Sequence, residues 1–286
     1  MWSCAWLGAA LLFLQGAQCT YYGKLIGDIK TNAHGLRAKV YAATENTFYL
    51  VDFHYDGKGP DAFFWASTST ELVPGGTLVP DEKGSSNVLR AYNGETFTIT
   101  LPAGKKITDF KSLGVFCRKF AADFGHVVIP DNLELPKEQV LTGFRNGAHG
   151  VRSGPIILKD SRTAFIPDLH YDGAGPDAYF LVGSSLKVEA PGATRIPDEN
   201  GSMKKLGAYN GKDVTVQLPA NMSWADVRWL SMYCILASQD FAHVNMPEEL
   251  HVPVDLSASR DGNGASVHLV SSIALIALSV ALIFPF

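Results

Sequence analysis

Cysteine is scarce in this chain: the 286 residues hold four, Cys4, Cys19, Cys117 and Cys234, and the first two fall in an apolar leader. A folded part with two thiols is not a disulfide-dense scaffold, so its stability must come from hydrophobic cores. Charge is thin as well. Charged residues make up 18%, the net charge is −4, and no long basic run occurs, which argues against a nucleic-acid partner. A Gly-rich phosphate loop, a Gly-x-Ser-x-Gly elbow and a His-Glu-x-x-His pair are all missing, which weighs against the common hydrolases.

What is abundant at both ends is apolar sequence. Residues 2–17 are rich in Leu and Ala, and Ala17-Gln18-Cys19 puts small residues where signal peptidase cuts. Residues 1–19 therefore read as a signal peptide, the apolar core being short for a retained membrane helix. Residues 273–286 form a second apolar run with no Lys or Arg behind it. A polar spacer precedes it, and before that stand Gly262-Asn263-Gly264-Ala265-Ser266. This order reads as a glycosylphosphatidylinositol signal over residues 264–286. Asn263 is the expected ω residue, with Gly262 and Ser259 as alternatives. A plain tail-anchoring helix is the competing reading, but fourteen strongly apolar residues span a bilayer poorly. Asn200-Gly-Ser202 and Asn221-Met-Ser223 are glycosylation acceptors. Together these features predict an extracellular glycoprotein, lipid-anchored at the plasma membrane.

An internal repeat organises the middle. Phe53-His54-Tyr55-Asp56-Gly57-Lys58-Gly59-Pro60-Asp61-Ala62 matches Leu169-His170-Tyr171-Asp172-Gly173-Ala174-Gly175-Pro176-Asp177-Ala178 at an offset of 116. Ala91-Tyr92-Asn93-Gly94 matches Ala208-Tyr209-Asn210-Gly211, Cys117 matches Cys234, and His126 matches His243, all at 117. His34-Gly35 matches His149-Gly150 at 115. A period this long is a duplicated domain, not a solenoid. The expected units are 21–130 and 140–247, joined by a linker at 131–139, with a polar stalk at 248–263.

Each unit reads as β. Glu95-Thr96-Phe97-Thr98-Ile99-Thr100-Leu101 alternates apolar and polar, as does Asp213-Val214-Thr215-Val216-Gln217-Leu218. Residues 47–53 and 163–169 are further strand candidates, separated by Asn-Gly, Asp-Gly and Gly-Pro turns. Ser223-Trp224-Ala225-Asp226 reads as one helical turn. The prediction is an all-β chain: two tandem sandwich- or barrel-like domains of one fold, flanked by hydrophobic terminal helices.

Cys117 shares a strand face with Leu113 and Val115, and Cys234 with Leu230, Met232 and Leu236. Three readings stay open: a small buried hydrophobe, a functional thiol that is reactive or metal-bound, and a Cys117–Cys234 disulfide that buried strands would not permit. Six of the eight histidines fall in repeat pairs, His34/His149, His54/His170 and His126/His243. A Cys with up to three His suits copper, zinc or haem; matched His are also ordinary structural hydrogen-bonders. In the His-Tyr-Asp-Gly-x-Gly-Pro-Asp loop, Asp56/Asp61 and Asp172/Asp177 can close turns onto backbone N–H groups or offer hard oxygen ligands to calcium.

At these residues the chain resembles the DM-13 domain family of Skeletor-like extracellular proteins. The resemblance rests on His34-Gly35, the segment from Phe53 to Phe64, Tyr92-x-Gly94, Leu101-Pro102, and the strand ending at Cys117 followed by Phe124-Gly125. The second repeat supplies the same set ending at Cys234, but has Ala242 where the first has Gly125 at an expected turn. The resemblance implies a β-rich module with one characteristic cysteine engaged in redox chemistry, often beside DOMON domains that bind haem or sugars. Cys117 and Cys234 are then the expected redox centres. His34, His149, His54 and His170 are the expected cofactor neighbours, and a DOMON-type molecule the expected redox partner. Matrix or cuticle components are the expected target. The rival expectation is a non-catalytic matrix- or glycan-binding adhesion module, in which duplication raises avidity without chemistry.

Overall fold

The computed structural model describes residues 20–257. The expected signal peptide, Asn263, the expected anchor signal and the expected terminal helices lie outside the described residues. The first unit contains β1 (Lys24–Asp28), β2 (Lys30–Thr31), β3 (Arg37–Ala42), β4 (Thr47–Tyr55), β5 (Ala62–Ser67), β6 (Thr77–Val79), β7 (Tyr92–Thr100), β8 (Ser112–Cys117) and β9 (Ala122–Val128). They form two antiparallel sheets, β1-β3-β4-β7 and β2-β9-β8-β5-β6. The second unit contains β10 (Gln139–Val140), β11 (Ile157–Leu158), β12 (Thr163–Tyr171), β13 (Ala178–Gly183), β14 (Thr194–Ile196), β15 (Tyr209–Gln217), β16 (Trp229–Cys234) and β17 (Gln239–Asn245). Its sheets are β10-β11-β12-β15 and β14-β13-β16-β17. Two β-sandwiches of one plan are thus present, as the repeat predicts.

Alternation accounts for the sheets. In β15 Val214 and Val216 are buried while Thr215 and Gln217 are exposed, so one pleat faces the core. The core lies between the sheets: Val40, Phe48, Leu50 and Phe53 from one meet Phe64, Leu113, Val115 and Cys117 from the other. β8 and β16 are different. All six residues of each are buried, because a second apolar cluster covers their outer face. In the first unit Phe63, Trp65, Leu72 and Phe116 form it, with Trp65 Nε1 donating to the Val73 carbonyl at 3.0 Å. In the second, Leu181, Trp229 and Tyr233 form it, with Trp229 Nε1 donating to the Ser185 carbonyl at 3.1 Å. The expected turn at Ser223 is a single 3-10 turn, Trp224–Asp226, closed by Ser223 and Asp226 in a capping box.

Three details differ from the sequence reading. Leu236, expected on the face of Cys234, is 74% exposed, because β16 ends at Cys234 and the chain turns there. Gly125 and Ala242 sit in strands rather than turns, next to matching register shifts in β8–β9 and β16–β17. The start of the expected stalk is docked. Val252 is fully buried in the second core, and Pro253 accepts a hydrogen bond from Ser161 N–H at 2.8 Å. The Arg162 guanidinium meets Asp255 at 2.9 Å. The same stretch reaches the first unit, where Val254 N–H donates to Ala43 at 2.8 Å, and Tyr21 donates its hydroxyl to Val252 at 2.7 Å. Leu133 and Leu135 of the linker pack on the first core.

The docked stretch predicts a measurable dependence. Val252→Ala removes two buried methyl groups and is expected to lower the stability of the second unit by about 2 kcal/mol in chemical denaturation. An unchanged denaturation midpoint would show that residues 250–255 do not belong to that core.

Candidate functional site

The thiols come first. Cys117 and Cys234 are both free and both 0% exposed. Each ends a central strand, Cys117 opposite Ala62 and Cys234 opposite Ala178, and each lies in the main core of its own unit. They do not form a disulfide with each other.

Above each thiol the repeated loop folds over the end of the core. The Tyr55 hydroxyl accepts the Gly59 N–H at 2.9 Å, and the Tyr171 hydroxyl accepts the Gly175 N–H at 2.9 Å. Glycine is required here by proximity. A Cβ on Gly59 would stand 2.4 Å from the Tyr55 hydroxyl and 2.5 Å from the Phe124 ring; a Cβ on Gly175 would stand 2.5 Å from the Tyr171 hydroxyl. Burial, foremost, pushes the phenols of Tyr55 and Tyr171 up; the neighbouring aspartate and the thiol add to it and the glycine N–H opposes it. Both tyrosines are therefore neutral hydroxyls.

Around this centre sit the repeated histidines. His34 and His149 adopt left-handed backbone conformations, φ 58° each, uncommon for a residue with a side chain. That turn lays the His34 ring on Phe124 at 4.1 Å and near Tyr55 at 6.0 Å, and the His149 ring on Phe241 at 4.5 Å. His34 Nδ1 meets Asp56 at 2.9 Å, and His149 Nδ1 meets Asp172 at 3.2 Å. His54 Nε2 meets Asp52 at 2.8 Å, and His170 Nε2 meets Asp168 at 3.0 Å. Asp52 and Asp168 are again left-handed, φ 53° and 49°. The third pair lies elsewhere: His126 and His243 bond to Asp123 and Asp240 three residues before them, at 2.6 and 2.5 Å.

The loop aspartates close turns. Asp56 accepts the Lys58 N–H at 2.9 Å and Asp172 the Ala174 N–H at 2.8 Å. For Asp172 that bond, foremost, holds the carboxyl below the usual range, with His149 adding to it and burial opposing. Burial would raise Asp56, but the Lys58 N–H and His34 outweigh it and hold this carboxyl low as well. The second aspartates point to other partners, Asp61 to Arg118 at 3.0 Å and Asp177 to the Tyr179 hydroxyl at 2.7 Å. Among the described residues no group of three or more His, Cys, Asp or Glu assembles around a common point. Asp56/Asp61 and Asp172/Asp177, the aspartates of the calcium expectation, are thus not part of such a group. The glycosylation acceptors Asn200 and Asn221 are both exposed.

In the second unit the repeated segments converge on one open cleft of about 330 Å³, lined by His149, Gly150, Arg152, His170, Tyr171, Asp172, Ala208, Tyr209 and Asn210. The expected residues His149, His170 and Asp172 are thus brought together, whereas Cys234 lies beneath them in the core. Arg152 and its counterpart Arg37 escaped the sequence reading. The signal was present: Ala33-His34-Gly35-Leu36-Arg37 and Ala148-His149-Gly150-Val151-Arg152 are nearly the same pentapeptide. The two arginines differ in use. Arg37 lies 2.9 Å from His54 Nε2, while among the described residues no hydrogen bond or ion pair engages the Arg152 side chain.

The family model for the electron-transfer DM13 domain matches this chain twice, over residues 28–129 and 143–246. The chain is also similar to Protein Skeletor of Drosophila melanogaster, at 37% identity over 238 residues in isoforms B/C and likewise in isoforms D/E. That span is 82% of this chain but 30% and 16% of those relatives, so the chain covers less than a third of their length. No solved structure matches the chain. Two β-sandwiches, each with one core cysteine and a repeated His-Tyr-Asp loop, make a tandem module. The chain belongs to the DM13 family.

Two predictions follow from burial and from proximity. In protein lacking residues 1–19, Ellman's reagent should titrate no thiol in the native state and both Cys117 and Cys234 after denaturation. A fast native reaction would place a thiol at the surface. Gly59→Ala should destabilise the first unit by about 1–3 kcal/mol in thermal or chemical melts, since neither the Tyr55 hydroxyl nor Phe124 can yield the space cheaply.

Proposed function

We propose that the protein is a cell-surface electron-transfer module, held by a glycosylphosphatidylinositol anchor, that acts on matrix or cuticle components with Cys117 and Cys234 as its redox centres. The observation that carries the reading is the repeated one: a single free, fully buried thiol per domain, under a tyrosine, phenylalanine and histidine layer that ends at the surface. In this reading the thiol gives up one electron, releases its proton to solvent, and becomes a thiyl radical. The electron goes to a one-electron acceptor carried by another molecule, a haem- or copper-bearing domain of the DOMON kind. Membership of a family described by electron transfer supports the direction of the reading.

Burial of the thiols favours a second reading. A sulfur with 0% exposure meets no substrate, while the cleft above it presents polar groups to solvent. A matrix- or glycan-binding adhesion module needs only the latter, and two linked copies raise avidity.

The double variant Cys117→Ala, Cys234→Ala separates the two. Alanine avoids the unpaired buried hydroxyl that serine would introduce. The redox reading expects wild type to reduce a one-electron acceptor such as ferricyanide, with a thiyl signal in spin trapping, and the double variant to do neither. Equal behaviour of the two proteins ends that reading. Matrix binding unaffected by the double substitution is what the adhesion reading expects.

A further inference from the structure

We infer that the cleft of the second domain is a binding subsite for an acidic sugar residue, with its anionic group on Arg152 and its hydroxyls on Asn210 and Asp172. The inference specifies the adhesion reading and rests on it; the thiols play no part.

The cleft, about 330 Å³, lies at the small end of ligand-pocket volumes and suits one sugar ring with its substituents. Among its lining residues Tyr171 and Tyr209 are buried and Ala208 is exposed, so the Ala208 methyl is the apolar surface it offers to a ring face. Its rim carries planar polar groups. Among the described residues the Asn210 side chain has no hydrogen-bond partner, so its amide offers donors and an acceptor to neighbouring hydroxyls. Asp172 has one bond at each oxygen, from Ala174 N–H and from His149, and each oxygen keeps a lone pair. Arg152 is exposed, and nothing among the described residues engages its guanidinium. A guanidinium fork matches a carboxylate or sulfate through two parallel hydrogen bonds.

Two features argue for a site and not an incidental hollow. The lining comes from three separate repeated segments, Ala-His-Gly-x-Arg, His-Tyr-Asp-Gly and Ala-Tyr-Asn-Gly, which the fold brings together. Its shape is also held rigidly: Arg152 and His170 exchange both backbone hydrogen bonds, at 3.3 and 2.9 Å, and His149 is fixed in its left-handed turn. In the first domain the Arg37 guanidinium is folded against the His54 ring, 2.9 Å from Nε2, so one site per chain is expected.

Calorimetry on the secreted full chain tests the inference with three probes: a hyaluronan tetrasaccharide, which carries carboxylates alone, a heparin tetrasaccharide, which adds sulfates, and neutral chitotetraose. At least one acidic probe should bind with one site per chain, and chitotetraose should bind at least about tenfold more weakly. Which acidic probe binds more tightly identifies the anionic group. Arg152→Gln should weaken the acidic probe at least about tenfold at an unchanged melting temperature, and Asn210→Ala should weaken it as well. Equal affinity for chitotetraose, or undiminished binding by Arg152→Gln, overturns the assignment. Failure of both acidic probes while intact matrix still binds overturns the assignment and leaves the adhesion reading standing; failure of both kinds of binding removes the two together.

Discussion

The contact between a glycine with no side chain and a buried tyrosine hydroxyl governs the working end of each domain. Tyr55 ends β4 in one sheet, Phe124 stands in β9 of the other, and Gly59 lies between, bonded to the first and packed on the second. The loop is thereby pinned across the mouth of the sandwich. Because it is pinned, Asp56 falls where it receives both the Lys58 N–H and the His34 ring, and Cys117 is closed off from water. Tyr171, Gly175 and Phe241 repeat the arrangement over Cys234. Strain gathers at the same place: His34, Asp52, His149 and Asp168 all take left-handed backbones, each costing of order 1–3 kcal/mol, which the surrounding packing must offset. Such strain is tolerated where geometry matters more than stability.

The two domains agree in the sealed centre and diverge around it. In the first, Arg90 bridges Glu82 and Glu95 and stacks over Tyr92 at 4.0 Å. In the second, Gly207 occupies the corresponding position, and Lys212 takes over the contact to Glu199. Both frames fix the buried tyrosine of the next strand, whose hydroxyl donates to the glutamate, Tyr92 to Glu82 at 2.8 Å and Tyr209 to Glu199 at 2.9 Å. Gly207 in place of Arg90, together with the unengaged Arg152 side chain, distinguishes the second domain from the first at this face. Duplication has therefore kept one interior and produced two exteriors.

Much of this was legible in sequence because it depends on local rules. Strict alternation at 95–101 and 213–218 gave the strands, and the Asx turns of the His-Tyr-Asp-Gly loop followed from aspartate beside glycine. Cys117 was placed on a core face by period two alone. The same rule misplaced Leu236, since periodicity names a face but does not say where the strand stops; Ser238, two residues on, is already left-handed. The left-handed histidines were illegible, because no propensity puts histidine there and only the tertiary contacts with Phe124 and Phe241 select it. Arg152 was visible as a repeated letter yet had no pattern of its own, since an exposed arginine looks like any surface residue until its neighbours are known. The docking of Val252 was hidden for the opposite reason: it is non-repeated sequence, and only the assembled second core reveals the vacancy it fills.

Burial narrows the chemistry that a redox role can use. Thiol–disulfide exchange needs a thiolate in line with an incoming sulfur, and neither Cys117 nor Cys234 presents any surface to one. Reaction with a second thiol of the same chain is closed as well, since each sulfur sits in the core of its own domain. Within the proposed function, electron movement without a new bond at sulfur is the remaining course, and the partner must then approach the face where Tyr55, Phe124 and His34 come nearest to solvent. That face adjoins the rim that carries the repeated polar groups. A ligand held in the cleft and an electron partner would compete for one surface, so binding and redox chemistry in a single domain are alternatives in space.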